Sequence, residues 1–163
     1  MEYLLKDIEK ALDNELYFIA LQSVLTLPDI CGSIEYDTNR VGQRYTDWYN
    51  TYMNTKVNLT AEQCYGFRCK LLHQGLSQYT QNTLERIVFA YPSNNFFNNN
   101  QFIENGKVTV NIDLLTFCHD MINSVRIWLH RAQKIPESQA KLNQLIRIHN
   151  GYKNFIAGVP FIG

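Results

Sequence analysis

The sequence predicts a mainly α fold, an antiparallel bundle of four or five helices with a small β-hairpin insertion. Apolar residues recur at helical spacing over most of the chain. Capping and stop residues fall at the ends of those segments. One Asn-Gly pair, Asn105-Gly106, sits between short apolar runs and marks a hairpin. The chain of 163 residues reads as a single domain, 1–163, with the β insertion at about 85–111. A chain of this length can bury a core without metals or disulfides.

The elements follow in order. Residues 3–27 read as one long helix, with Leu5, Ile8, Leu12, Leu16, Ile19 and Leu27 on its stripe. Pro28 kinks or ends it, and "DICGSI" at 29–34 can carry it on past the kink. Thr38 is the expected N-cap of a second helix, 39–54. Its face is Val41, Tyr45, Trp48, Tyr49 and Tyr52, a core or an interface rather than a cofactor box. "TAEQ" at 60–63 is a capping box, and the third helix runs to about His73 with Gly75 as its C′ residue. "RIVFAY" reads as a strand that Pro92 stops, followed by an Asn-rich loop at 93–100. "FIENGKVTV" at 102–110 is the hairpin, giving two or three short strands in all. Residues 111–134 form the strongest helix, with Leu115, Cys118, Ile122, Val125, Leu129 and Ala132 on its face. A last helix starts with Pro136 at N1 and is lined by Leu142, Leu145 and Ile146, with Gly151 just past its end. The apolar tail, "FIAGVPFIG", is expected to dock on the body.

The totals narrow the function classes. Hydrophobic residues are 45% and charged residues 18% of the chain, a globular composition. Fifteen basic residues balance fifteen acidic ones, which counts against a binder that holds nucleic acid by bulk charge. It does not count against an enzyme that cuts RNA through a few local contacts. The N-terminus mixes charges with apolar residues and has no signal-peptide core, and no apolar run approaches a membrane span. The four cysteines, Cys31, Cys64, Cys69 and Cys118, include no CxxC pair and read as reduced thiols of a cytoplasmic protein.

One stretch, "YGFRCKLLHQG" at 65–75, departs from this pattern. On a helical wheel Ala61, Cys64, Tyr65, Leu71 and Leu72 cluster on one side, and Arg68 falls near the centre of that cluster. A guanidinium there is costly unless it is paired. It can pair with a carboxylate, snorkel to water, or face a seam left open to a ligand or a second subunit. Glu62 and Asp47 are the nearest acids in sequence. His73, in the last turn, is suited to the helix dipole. Cys64, Cys69 and His73 match no standard zinc spacing. His119, Arg126, His130 and Lys134, with Arg131 beside them, line one side of helix 111–134. They form either a strip for RNA phosphates or a solvated cationic face. Arg40 and Arg44 make a smaller pair of that kind.

Arg68, four intervening residues and His73 resemble the signature of the HEPN superfamily, helical domains that are often ribonucleases. The preceding long helix and the aromatic-rich "YTDWYNTYM" are compatible with that order. The resemblance implies a metal-independent endoribonuclease without cofactors, dimeric, with Arg68 and His73 of both subunits meeting in a cleft on the two-fold axis. It implies RNA as substrate, and the toxin of a toxin–antitoxin or phage-defence pair, with an antitoxin or nucleotidyltransferase as a further partner. In that reading Arg68 and His73 are catalytic, while Cys69, Arg126 and His130 contact substrate. The alternatives are a HEPN-like module that binds protein or RNA without catalysis, and an unrelated helical domain whose Arg68 is simply ion-paired. Cys69 stands where many active members carry Asn, Asp or His. Gly75 stands where some carry a modifiable tyrosine, and Tyr79 is the nearest one downstream. Arg68 and His73 lie about 140° apart on an ideal helix. Their convergence is expected only from a loosened last turn or a second subunit.

Overall fold

The computed structural model describes residues 1–53, 57–81, 84–91, 100–146, 148–149, 152–153, 156–157 and 161–163. Six helices form most of it: α1 (Glu2–Asp13), α2 (Tyr17–Glu35), α3 (Val41–Tyr52), α4 (Ala61–Gln74), α5 (Leu114–Ala132) and α6 (Pro136–Leu142). The four or five helices expected from the sequence become six because the first long segment divides. Asn14 caps α1, Glu15 takes φ 59, and Leu16 N–H bonds back to the Ala11 carbonyl. That left-handed residue resets the helical phase. Leu16 and Ile19, placed on the buried stripe by periodicity, are therefore exposed. The new buried face is Ala20, Leu21, Val24, Leu25, Leu27, Cys31 and Ile34.

Pro28 does not end α2, which continues through Asp29 to Glu35. A mid-helix proline forfeits one backbone hydrogen bond, and here tertiary packing carries the helix past it. α2 lies against α1, α3, α4, α5 and α6. It is long and apolar enough to cross a membrane by length and composition, which corrects the expectation that no run approaches that length. Half of that stretch is buried inside the fold.

Thr38 is not the N-cap of α3. Its hydroxyl accepts from the Arg40 N–H, and Arg40 occupies the cap. The α4 capping box forms as read, with Thr60 Oγ1 accepting from Gln63 N–H and Gln63 Oε1 from Thr60 N–H. Gly75 closes α4 at φ 66, donating to the Leu71 carbonyl, while Leu76 donates to Lys70.

The β region is larger than a hairpin. Strands β1 (Gln78–Gln81), β2 (Leu84–Ala90), β3 (Gln101–Glu104) and β4 (Lys107–Asp113) form one sheet in the order β1-β2-β4-β3. The β3–β4 hairpin turns at Asn105 and Gly106, both with positive φ, as the Asn-Gly pair requires. β2 runs parallel to β4, from Leu84↔Val108 to Ala90↔Asp113. Residues 111–113 thus belong to a strand, and Asp113 caps α5 by accepting from the Thr116 N–H. The sheet joins the main core through Leu84, Ile87, Val110 and Ile112. Phe89 on β2 packs between Phe67 on α4 and Phe117 on α5, with ring centroids 5.2 and 5.1 Å away.

α6 stops at Leu142, short of the helix expected to reach Gly151. Ile148–His149 instead pairs with Phe161–Ile162, and Tyr152–Lys153 with Ile156–Ala157. Ile146 and Ile148 are β-branched, which favours extended backbone over helix. Gly151 and the rest of the apolar tail, the stop at Pro92 and nearly all of the Asn-rich loop fall outside the described residues.

Glu35 ends α2 and ties three helices together. Its carboxylate accepts from Tyr52 Oη at 2.8 Å and from the buried Trp128 Nε1 at 3.0 Å, and Arg131 approaches to 3.5 Å. Trp48 and Trp128 meet edge to face beneath it, centroids 6.3 Å apart. Replacing Glu35 with Ala strands the Trp128 and Tyr52 donors and is expected to cost about 3 kcal/mol of unfolding free energy. Glu35→Gln, which keeps an acceptor, is expected to cost less than half of that. Urea denaturation of both variants measures the difference, and equal losses would contradict the role given to the carboxylate.

Candidate functional site

Asp29 and Arg68 meet where α2 crosses α4. Arg68 Nη2 lies 2.5 Å from Asp29 Oδ2, and both side chains are mostly buried, 18% and 15% exposed. Neither Asp47 nor Glu62 is the partner. The signal that could have found Asp29 is its setting. It and Glu35 are the two charged residues among the nineteen of α2. A carboxylate inside such an apolar helix needs a cation.

The same guanidinium reaches His73. Nη1 lies 3.5 Å from His73 Nε2 and 3.9 Å from Cys69 Sγ. The expectation that a loosened turn or a second subunit must supply this convergence is overturned. α4 stays helical through both residues to Gln74, and the length of the arginine side chain spans the gap. His73 is exposed and Cys69 half-buried. Arg68, Cys69 and His73 thus form one constellation at the C-terminal end of α4.

The wheel is corrected in one respect. Ala61, Cys64, Phe67 and Leu71 are the buried residues of α4, and Arg68 flanks them on the side facing α2. Tyr65, half-buried, leans on Tyr45 with ring centroids 5.2 Å apart, and Tyr45 Oη lies 3.1 Å from Cys64 Sγ. Gly42 lets Tyr65 approach α3; a Cβ there would stand 3.0 Å from the tyrosine ring.

The electrostatics of the ion pair are asymmetric. Burial pushes the Asp29 carboxyl above its ordinary value, and the charges of Arg68 and Arg44 only partly offset this. For Arg68, burial acts to lower its value, but Asp29 and Cys69 outweigh it and raise the guanidinium further. Both carboxylate oxygens are closed off from water, as is Arg68 Nε. Burial also raises the Tyr65 hydroxyl, with Cys69 adding to the effect.

Arg126 and His130 are not brought to this constellation. Arg126 makes a two-point pair with Glu9 on α1, both contacts at 2.8 Å. His130 lies exposed on α5. Among the described residues no hydrogen bond or ion pair links either to Arg68 or His73. With Arg126 on Glu9 and Arg131 on Glu35, the strip on α5 is partly neutralised by the fold's own acids. Arg44 donates to the Thr38 carbonyl. Among the described residues no three His, Cys, Asp or Glu side chains converge as a metal site would require.

No family model matches the chain. No curated protein and no solved structure matches it either.

The Glu9–Arg126 pair carries a pH dependence. The hydrogen bond from Arg126 is the main reason that Glu9 titrates below the ordinary glutamate value of 4.5. A depressed carboxylate contributes stability above its unfolded value and loses it as pH falls through the folded one. Thermal stability is therefore expected to fall below pH 4.5 more steeply in the wild type than in Glu9→Gln. Melting curves across pH 3 to 6 read the difference; identical slopes would show that the pair is not formed.

Proposed function

We propose that the chain is a metal-independent endoribonuclease of the HEPN kind, with Arg68 and His73 as its catalytic pair. The observation that carries this reading is the approach of Arg68 Nη1 to His73 Nε2, 3.5 Å, at an exposed helix end. An arginine and a histidine held side by side suit one reaction well. RNA brings its own nucleophile, the 2′-hydroxyl. The His73 imidazole accepts that proton as the 2′-oxygen attacks phosphorus. The outward Nη1 of the guanidinium donates to a phosphate oxygen and stabilises charge developing there. The bond to the 5′-oxygen breaks, and that oxygen takes a proton from a second acid. In a homodimer, the assembly the resemblance implies, the second subunit's His73 supplies it. The products are a 2′,3′-cyclic phosphate and a 5′-hydroxyl. A cytoplasmic toxin restrained by an antitoxin or a nucleotidyltransferase, or a phage-defence effector, is the biological setting that belongs with this chemistry. Cys69 Sγ adds a weak contact beside the arginine, whereas Arg126, held by Glu9, and the exposed His130 lie apart on α5.

A second reading is favoured by one observation, the pairing of Arg68 with Asp29 inside the chain. There Arg68 is a clip between α2 and α4, as expected of an unrelated helical domain whose arginine is simply ion-paired; a HEPN-like module that binds protein or RNA without cutting it is compatible with the same clip.

Induced expression in a bacterial host separates the two. The wild type is expected to arrest growth, with Arg68→Ala and His73→Ala each relieving it at matched soluble levels. RNA from arrested cells should be fragmented, and the purified protein should cut it in the presence of a chelator. Equal growth of all three, with no cutting in vitro, would leave the binding module.

A further inference from the structure

We infer that Asp29 is the positioning residue of the Arg68–His73 site, holding the inner nitrogen of the guanidinium so that the outer one stays beside the imidazole. This rests on reading Arg68 and His73 as one phosphate-binding site.

The geometry divides the guanidinium. Nη2 is turned inward to Asp29 Oδ2, and Nη1 outward to His73 Nε2. An arginine side chain has many rotamers, and a free one near a helix end samples many positions. Pairing removes that freedom before any ligand arrives, and such preorganisation favours binding. Aspartate suits the task because its stem is short and its carboxylate stays where the backbone puts it. That backbone is fixed. One turn after Asp29, Gly32 packs so closely on α3 that an added Cβ would lie 2.6 Å from the Arg44 carbonyl oxygen. The charge of Arg44 also favours the ionised form of Asp29. Asp29 does not touch the reacting atoms; it acts through Arg68.

The alternative roles give different signs. If Asp29 only glued helices together, its removal would lower stability and leave anion binding unchanged. If it masked Arg68, its removal would strengthen binding. The test compares wild type, Asp29→Asn and Asp29→Glu in two measurements. The first is the rotation of the Arg68 guanidinium, followed by nitrogen-15 NMR and assigned with Arg68→Lys. The second is binding of a single-stranded RNA oligonucleotide with 2′-O-methyl riboses, which lacks the nucleophile and stays intact.

Asp29→Asn is expected to release the guanidinium to fast rotation and to weaken binding about tenfold, the cost of immobilising one flexible side chain on binding. Asp29→Glu is expected to recover part of both. Restrained rotation in Asp29→Asn, or binding that is unchanged or tighter, would overturn the inference. Should Asp29→Asn fail to fold, Arg68→Lys tests the same point. Its donors all sit on one nitrogen, so it lacks a fork that reaches inward to Asp29 and outward to the probe, and it should bind about tenfold more weakly than the wild type; wild-type affinity would overturn the division of the fork. A wild type that ignores the oligonucleotide would remove the ribonuclease reading, while the rotation measurement still decides whether Asp29 holds Arg68.

Discussion

An apolar helix surrounded by five others leaves its charges few places to go. α2 carries two, Asp29 and Glu35, and the fold is arranged around placing them. Glu35 is met by an indole, a phenol and a guanidinium from α5 and α3. Asp29 is met by Arg68 from α4. Each acid fixes the position of another helix relative to α2, because a buried carboxylate without its partners costs more than any local adjustment could recover. Hydrophobic burial holds the helices together, but these two contacts set where along α2 they sit.

The functional consequence follows from the second contact. Arg68 cannot leave Asp29 cheaply, so the rest of its guanidinium is directed along α4 toward His73. The convergence of these two residues is a product of tertiary pairing and of the arginine's length, with no irregularity in the helix. It needs no second subunit, although the proposed reaction draws on one for its second proton transfer. Cys69 and Tyr65 on the same helix are half-buried, His73 is exposed, and Gly75 ends the helix two residues beyond the imidazole.

Local features of the fold were legible in the sequence. "TAEQ" and Gly75 delimit α4 because each cap is a short-range hydrogen-bond pattern. Asn105-Gly106 makes its hairpin because both residues tolerate positive φ. The face of α5 was read largely correctly, although Phe117, Met121 and Trp128 share it. Long-range features were not legible. The break at Asn14–Leu16 has no glycine or proline to announce it, and apolar spacing runs straight across. The parallel pairing of β2 with β4 joins segments on either side of the Asn-rich loop, which no local pattern encodes. In the candidate site Arg68 and His73 stood out by spacing, while Asp29, thirty-nine positions upstream (68 − 29), could be found only by asking what a lone aspartate does inside an apolar helix. Arg126 looked like a free cation because Glu9 lies on a different helix.

The chemistry of the cut ends tests most directly the proposal that Arg68 and His73 act together on a phosphodiester through the 2′-hydroxyl of RNA. Purified protein is incubated with a defined single-stranded RNA under a metal chelator, and the fragments are analysed by mass spectrometry. Fragments ending in a 2′,3′-cyclic phosphate or its hydrolysed 3′-phosphate, with 5′-hydroxyl partners, are the predicted result. Fragments with 3′-hydroxyl and 5′-phosphate ends would contradict it, as would RNA left intact over a range of sequences.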